Sequence, residues 1–81
     1  MNEDLFKKYK KDFGANLKKI REAKYTALSE VDANTKFDSS NYHKYENGTG
    51  NPTLKTILEL AASLKIHPKQ LLDFEFDFKE E

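Results

Sequence analysis

The sequence has no cysteine among its 81 residues, so neither a disulfide framework nor a thiolate zinc site can stabilise it. It also has no long hydrophobic run, because apolar stretches such as residues 60–62 are far too short to span a bilayer. Residues 2–11 are highly charged and do not resemble a signal peptide. We therefore expect a cytoplasmic protein.

The length of the chain allows one domain and no more. A domain of this size buries only about 60% of the surface that its unfolded chain exposes, so its stability is marginal. Tight helix packing and oligomerisation are the remaining ways to stabilise it. We predict a single domain over residues 1–81, with a core at 13–72 and a tail at 73–81, and we expect a homodimer.

The formal net charge is zero, but the charges are unevenly distributed. Residues 1–24 hold eight basic and four acidic side chains, residues 25–72 hold five of each, and residues 73–81 hold five acids and one lysine. The chain thus has a basic beginning and an acidic end. Most of these charges serve solubility, yet one local basic face is enough for a nucleic-acid partner, so neutrality does not exclude one.

Hydrophobic periodicity predicts a long first helix. Apolar residues recur at spacings of three and four and form one stripe: Phe6, Tyr9, Phe13, Leu17 and Ile20. Asp4 is the expected N-cap. Gly14 interrupts the pattern at a cost of roughly 1 kcal/mol relative to alanine, which indicates close approach by another backbone.

Four further helices complete an all-α prediction. The second, weak in pattern, runs from Ala27 to about Asn34 with Thr26 as its cap, and Asp38 caps a third at 39–46. Residues 47–52 form a loop in which Gly48 suits a left-handed conformation. Thr53 caps the fourth helix, which carries the broadest apolar face, and Pro68 opens the fifth.

The tail alternates between phenylalanine and acidic residues, which is a period-two pattern typical of an extended strand. Three exposed phenylalanines would be an aggregation liability in a monomer. The tail either contacts a second copy, for which pairing as a strand is one arrangement, or folds back over its own core. We favour the contact with a second copy, through the residues Ile66, Leu71, Leu72, Phe74, Phe76 and Phe78.

The third helix carries the candidate binding face. Its outward positions are all able to hydrogen-bond and none is large and apolar: Ser39, Ser40, Asn41, His43 and Lys44. Serine and asparagine can contact base edges in a major groove, and lysine can contact guanine or a phosphate. Any solvated helix face could have this composition, so the pattern alone does not establish DNA binding.

The sequence resembles the Cro/CI-type helix-turn-helix proteins, also called the XRE family, over roughly residues 13–72. The register from Arg21-Glu22 to Glu46-Asn47-Gly48 fits without insertion or deletion. The other matching residues are Phe13-Gly14, Leu17, Ile20, Val31, Tyr42, Tyr45, Asn51-Pro52, Leu60-Ala61, Leu64 and Leu71-Leu72. The resemblance implies a compact five-helix lambda-repressor-like DNA-binding domain with a short extended C-terminal tail.

The resemblance also implies roles for single residues. Ser39, Ser40 and Lys44 fall on positions that contact bases, with Asn41 and His43 beside them, and Asn47 and Gly48 fall on a loop whose amides meet phosphate. Arg21 and Glu46 match a structural ion pair, and a direct phosphate contact by Arg21 is the alternative. Two-fold dimers of the family contact half-sites about 34 Å apart.

The second helix departs from the family pattern. Leu28 stands where a phosphate-binding glutamine is usual, Asp32 where an alanine is usual, and Lys36 where a turn glycine is common. This helix is therefore expected to be irregular or shifted. Lys36 is a candidate to replace the missing phosphate anchor.

Catalysis and metal binding are not expected. His43 and His67 have no partner cluster at ligand spacing, and no nucleophile arrangement or glycine-rich phosphate loop is present. The predicted function is that of a sequence-specific transcriptional regulator, either a repressor or an autoregulator, with double-stranded DNA as partner and no cofactor. The alternative is a protein-interaction module of the same fold, such as an antitoxin, whose main partner is another protein.

Overall fold

The computed structural model describes residues 1–78 and contains four α-helices and one 3₁₀ helix, with no strand in that range. The helices are α1 (Glu3–Lys24), α2 (Ser29–Asn34), α3 (Ser39–Glu46) and α4 (Leu54–Leu64), followed by the 3₁₀ helix Pro68–Leu72. The all-α prediction is confirmed. The predicted fifth α-helix is instead a five-residue 3₁₀ helix, opened by Pro68 with His67 as its cap.

The long helix α1 begins one turn earlier than the apolar stripe requires. Its N-cap is Asn2, whose side chain accepts from the Leu5 amide at 2.8 Å, and not Asp4 as predicted. Asp4 lies in the first turn with Glu3, where a carboxylate favours the positive end of the helix dipole. The helix contacts α3, α4 and the 3₁₀ helix, so it is the element around which the fold is assembled.

One hydrophobic core joins all five helices. Its fully buried side chains include Leu17 from α1, Val31 from α2, Tyr42 from α3, Leu60 from α4 and Leu71 from the 3₁₀ helix. The side-chain amide of Asn16 donates to the carbonyl oxygens of Gln70 and Leu71, at 2.7 and 3.1 Å. The end of the domain is thereby fastened to α1.

Gly14 marks the closest approach of two helices. A methyl group on its Cα would overlap the backbone carbonyl oxygens of Tyr45 and Glu46. Only glycine allows the C-terminal end of α3 to approach α1 this closely. The prediction of close backbone approach at Gly14 is confirmed.

The tail, as far as Phe78, folds back onto α1 of its own chain. The Tyr9 hydroxyl donates to the Asp77 carbonyl at 2.9 Å and accepts from the Asp77 amide at 2.6 Å. The Tyr9 ring lies 4.9 Å from that of Phe76 and 5.5 Å from that of Phe78, between centroids. The alternation predicted a strand, but Phe74 lies in a bend and residues 75–78 have no regular secondary structure. Residues 79–81 of the predicted tail lie outside the described range.

Candidate nucleic-acid interface

Helices α2 and α3 form a helix-turn-helix pair joined by residues 35–38. α2 begins at Ser29, two residues later than predicted, because the Glu30 carboxylate accepts from the Thr26 hydroxyl (2.9 Å) and the Ala27 amide (3.1 Å) and holds the preceding residues as a turn. These hydrogen bonds lower the pKa of Glu30. The predicted irregularity of this region is thus a late helix start.

Two aspartates fix the beginning of α3. Asp38 is its N-cap, as predicted, and accepts from the Asn41 amide at 2.8 Å. Asp32, on α2, accepts from the Ser39 amide at 2.6 Å. Asp32, one of the three residues that depart from the family pattern, therefore joins α2 to α3. No local capping rule predicts a bond across seven residues, so sequence reasoning missed it.

The predicted binding residues lie together on the outer side of α3. Ser40, Asn41, His43 and Lys44 are exposed and Ser39 is half-buried, while Tyr42 and Glu46 point into the protein. The Asn41 side chain donates to Asp38 at 3.1 Å, so part of its hydrogen-bonding capacity is used locally. What remains is a continuous polar surface on a helix that is held at both ends.

Arg21 holds the C-terminal end of α3. Its Nε donates to Glu46 Oε2 at 2.8 Å and its Nη2 to Oε1 at 2.9 Å, and Nη1 donates to the carbonyl oxygens of Tyr25 and Thr26. The hydrogen bonds to Glu46 raise the pKa of Arg21. Because Arg21 is buried and its donors are used, it is a structural partner of Glu46 and has no surface to offer a phosphate.

The loop after α3 does not present free amides at its first four positions. The Asn47 amide donates to the His43 carbonyl oxygen and the Gly48 amide to that of Tyr45. The amides of Thr49 and Gly50 both donate to the Lys44 carbonyl oxygen. Gly48 has the expected left-handed backbone, with φ of 82°. The expectation that backbone amides of Asn47 and Gly48 meet phosphate is therefore corrected: a phosphate here would have to meet side chains, because those amides are already satisfied.

Lys36 is engaged by α4. Its Nζ forms an ion pair with Glu59 Oε2 at 2.6 Å, and this hydrogen bond lowers the pKa of Glu59. Lys36 remains largely exposed. A phosphate would have to compete with the Glu59 carboxylate for it.

The residues predicted for dimer contact do not form one surface. Leu71 is fully buried in the core and cannot contact a second copy, which corrects that assignment. Ile66 lines a shallow cleft with Ile20 and Leu64. Leu72, Phe74 and Phe76 line a different cleft, with Ile57 and Pro52.

The two histidines lie apart, His43 on the outer side of α3 and His67 at the start of the 3₁₀ helix, where its Nδ1 accepts from the Lys69 amide at 3.0 Å. Within residues 1–78, no three histidine, aspartate or glutamate side chains are grouped so as to hold a metal ion. No helix in the same range has both the length and the apolar character needed to cross a bilayer.

Comparison with known proteins identifies the family to which this fold belongs. A family model described as helix-turn-helix matches residues 17–71. The fold is similar to the crystal structure of the restriction-modification controller protein C.AhdI from Aeromonas hydrophila, with a TM-score of 0.72 and 31% sequence identity, over 80% of this chain and 94% of that one. A comparison with curated proteins gives no match.

Proposed function

The chain belongs to the helix-turn-helix family, and from this premise we propose that it is a DNA-binding transcriptional regulator that reads the major groove with α3. The observation that carries the proposal is the outer face of α3. Ser40, His43 and Lys44 point to solvent, while Asp32, Asp38 and the Arg21–Glu46 pair fix the helix from behind. A rigid polar helix face is what direct readout of base edges requires.

The residues divide into two roles in this proposal. Ser39, Ser40, Asn41, His43 and Lys44 face the bases, and Asn47 flanks the groove at the C-terminal end of α3. Arg21 and Glu46 make no contact with DNA and keep α3 in place. Lys36 contacts the DNA backbone only if its ion pair with Glu59 is broken.

The regulator acts as a homodimer in this proposal. One short helix in one major groove covers too few base pairs for tight specific binding, whereas a two-fold dimer contacts half-sites about 34 Å apart. The exposed apolar side chains best placed for a second copy are Leu72, Phe76 and Phe78, with exposures of 46, 40 and 49%. Phe74 lies half-buried behind them.

Similarity to a restriction-modification controller favours one class of regulator. We infer that this chain is a regulator of that type. It would act at its target as a repressor or autoregulator. Neighbouring genes for a restriction enzyme would support this placement, and a neighbouring toxin gene would favour an antitoxin role for the same fold.

A selection against random DNA duplexes tests the proposal. The wild-type chain should enrich a pseudo-palindromic sequence, and binding should weaken as salt rises. Lys44→Ala should relax the preference at one position of each half-site, by about 1–3 kcal/mol for a good base contact. Lys69→Ala, at an exposed position of the 3₁₀ helix, is the matched control and should leave the selected sequence unchanged. Failure of the wild-type chain to enrich any sequence contradicts the proposal.

A further inference from the structure

One face of α1 runs alongside the C-terminal end of α3. Gly14 and Arg21 lie on this face and contact Glu46. Lys7 and Lys11 precede Gly14 by two turns and by about one turn, so helical spacing places them on the same side. Lys7 and Lys11 therefore lie on the continuation of this face of α1, beyond the C-terminal end of α3.

The loop after α3 lies directly against this pair. A methyl group on Gly48 would crowd the Lys11 side chain and backbone, with Lys11 Cγ at 2.9 Å. Lys7 and Lys11 line an open cleft opposite Asn47, Gly48 and Thr49. This cleft adjoins the C-terminal end of α3, because Asn47 is the exposed C-cap of that helix.

Lys7 and Lys11 are available to a ligand. Both are exposed, and neither forms an ion pair with any residue in the range 1–78. The other two lysines of the cleft are engaged: Lys8 pairs with Asp12 at 2.9 Å, and Lys10 lies over the Phe6 ring at 4.9 Å. Asp4 is the remaining carboxylate in the cleft, so positive charge predominates there.

The lysine pair stands on a rigid support. The opposite side of the same helical segment carries Tyr9, which is buried and held by two hydrogen bonds to Asp77 and by the rings of Phe76 and Phe78. Both this part of α1 and the tail lie outside the residues that match the family model. The two added segments thus stabilise one another and extend the domain beside α3.

We propose that Lys7 and Lys11, with the side-chain Nδ2 group of Asn47, bind a backbone phosphate of duplex DNA beside the groove that α3 occupies. The Thr49 hydroxyl takes no part, because it already donates to Asn47 Oδ1 at 2.7 Å. The proposal rests on the proposed function and adds a contact to it. Side chains supply this contact because the amides of residues 47–50 are bonded within the protein. A phosphate contact of this kind strengthens binding to every sequence alike and contributes to its salt dependence.

Salt-dependent binding of the selected duplex tests the site. Lys7→Gln with Lys11→Gln keeps most of the aliphatic stems, including the part of Lys11 that packs against Gly48, and removes two charges. The control is Lys19→Gln with Lys69→Gln, two exposed lysines that line other clefts and give the same change in net charge. Circular dichroism should show both variants folded, since all four lysines are exposed.

We expect Lys7→Gln/Lys11→Gln to weaken binding and to reduce the slope of log K against log salt by about 1 for each protomer, or about 2 for the dimer, because each lysine pair neutralises one phosphate. The selected sequence should stay that of the wild type, because phosphate contacts carry no sequence information. An unchanged slope, or an equal reduction in the control, overturns the site while the proposed function stands. Absence of DNA binding by the wild type overturns both.

Discussion

Arg21 and Glu46 meet in a bidentate ion pair, with Nε to Oε2 at 2.8 Å and Nη2 to Oε1 at 2.9 Å, and both residues are buried. The pair links the last turn of α1 to the last residue of α3. Removing one partner of a buried pair of this geometry is strongly destabilising, because the other charge is left buried without a counter-charge. The position of α3 therefore depends on two buried residues that do not face DNA in the proposed complex.

Glu46→Ala should destabilise the fold by about 3–5 kcal/mol, because it leaves the Arg21 guanidinium buried without its counter-charge. Chemical denaturation measures the change. The double substitution Arg21→Met with Glu46→Leu removes both charges and should lose less stability than Glu46→Ala alone. Glu59→Ala breaks the exposed pair with Lys36 and is the control, expected to change stability by at most about 1 kcal/mol. If Glu46→Ala unfolds at the same denaturant concentration as the wild type, the structural role of the ion pair is contradicted.

Gly14→Ala should reverse the usual effect of this substitution. Alanine in place of glycine within a helix normally stabilises by about 1 kcal/mol. Here the added methyl group would overlap the carbonyl oxygens of Tyr45 and Glu46, which belong to backbone and cannot rotate away, so we expect a net loss of about 1–3 kcal/mol. Ala15→Gly, at the exposed neighbouring position, should show only the ordinary helix penalty. Thermal or urea denaturation distinguishes the two, and a stabilised Gly14→Ala variant would show that α3 lies farther from α1.

Tyr42 should make the fold sensitive to alkaline pH. Its side chain is fully buried and its hydroxyl has no hydrogen-bond partner among residues 1–78, and burial raises its pKa above the ordinary value of 10.0. The folded state therefore keeps the phenol proton after the unfolded state has released it. The stability that depends on the neutral phenol is complete below pH 10 and declines as the pH rises above it.

Tyr42→Phe should remove this decline and should also stabilise the fold at neutral pH by about 1 kcal/mol, because it eliminates a buried hydroxyl without a partner. Urea denaturation at pH 7 and at alkaline pH measures both effects. Tyr25→Phe is the control, since Tyr25 is only half-buried. A marked loss of stability in Tyr42→Phe at neutral pH would mean that the hydroxyl has a partner after all.

Local rules predicted those parts of the fold that depend on neighbours in the chain. The bounds of α3 and its Asp38 cap, the Thr53 cap of α4 and the left-handed Gly48 all follow from short-range chemistry. Asn2 was missed as a cap because Asp4 is an equally good candidate and helix starts are decided by small differences. The last helix has only five residues, which are too few for hydrophobic periodicity to distinguish a 3₁₀ helix from an α-helix.

Contacts between distant residues account for what the sequence could not predict. The alternation of the tail identified one apolar side, but whether that side meets Tyr9 or a second copy depends on tertiary packing. The bond from Asp32 to the Ser39 amide and the hydrogen bonds of the loop amides have no sequence signal either. Gly14 is the informative exception, because a glycine inside a helix has few uses other than close approach.

Leu72→Glu should convert the proposed dimer into a monomer. Leu72 is exposed in the described chain and lines the same cleft as Phe76, so a carboxylate there leaves the fold intact but places an unpaired charge in the contact with a second copy. Ala15→Glu, an exposed position on α1, carries the same charge change and should remain dimeric. Sedimentation velocity reports the oligomeric state directly, and DNA binding should fall for Leu72→Glu alone, since only a dimer engages two half-sites at once. A Leu72→Glu variant that still sediments as a dimer would exclude this surface and direct attention to the exposed α4 residues Leu54 and Leu58.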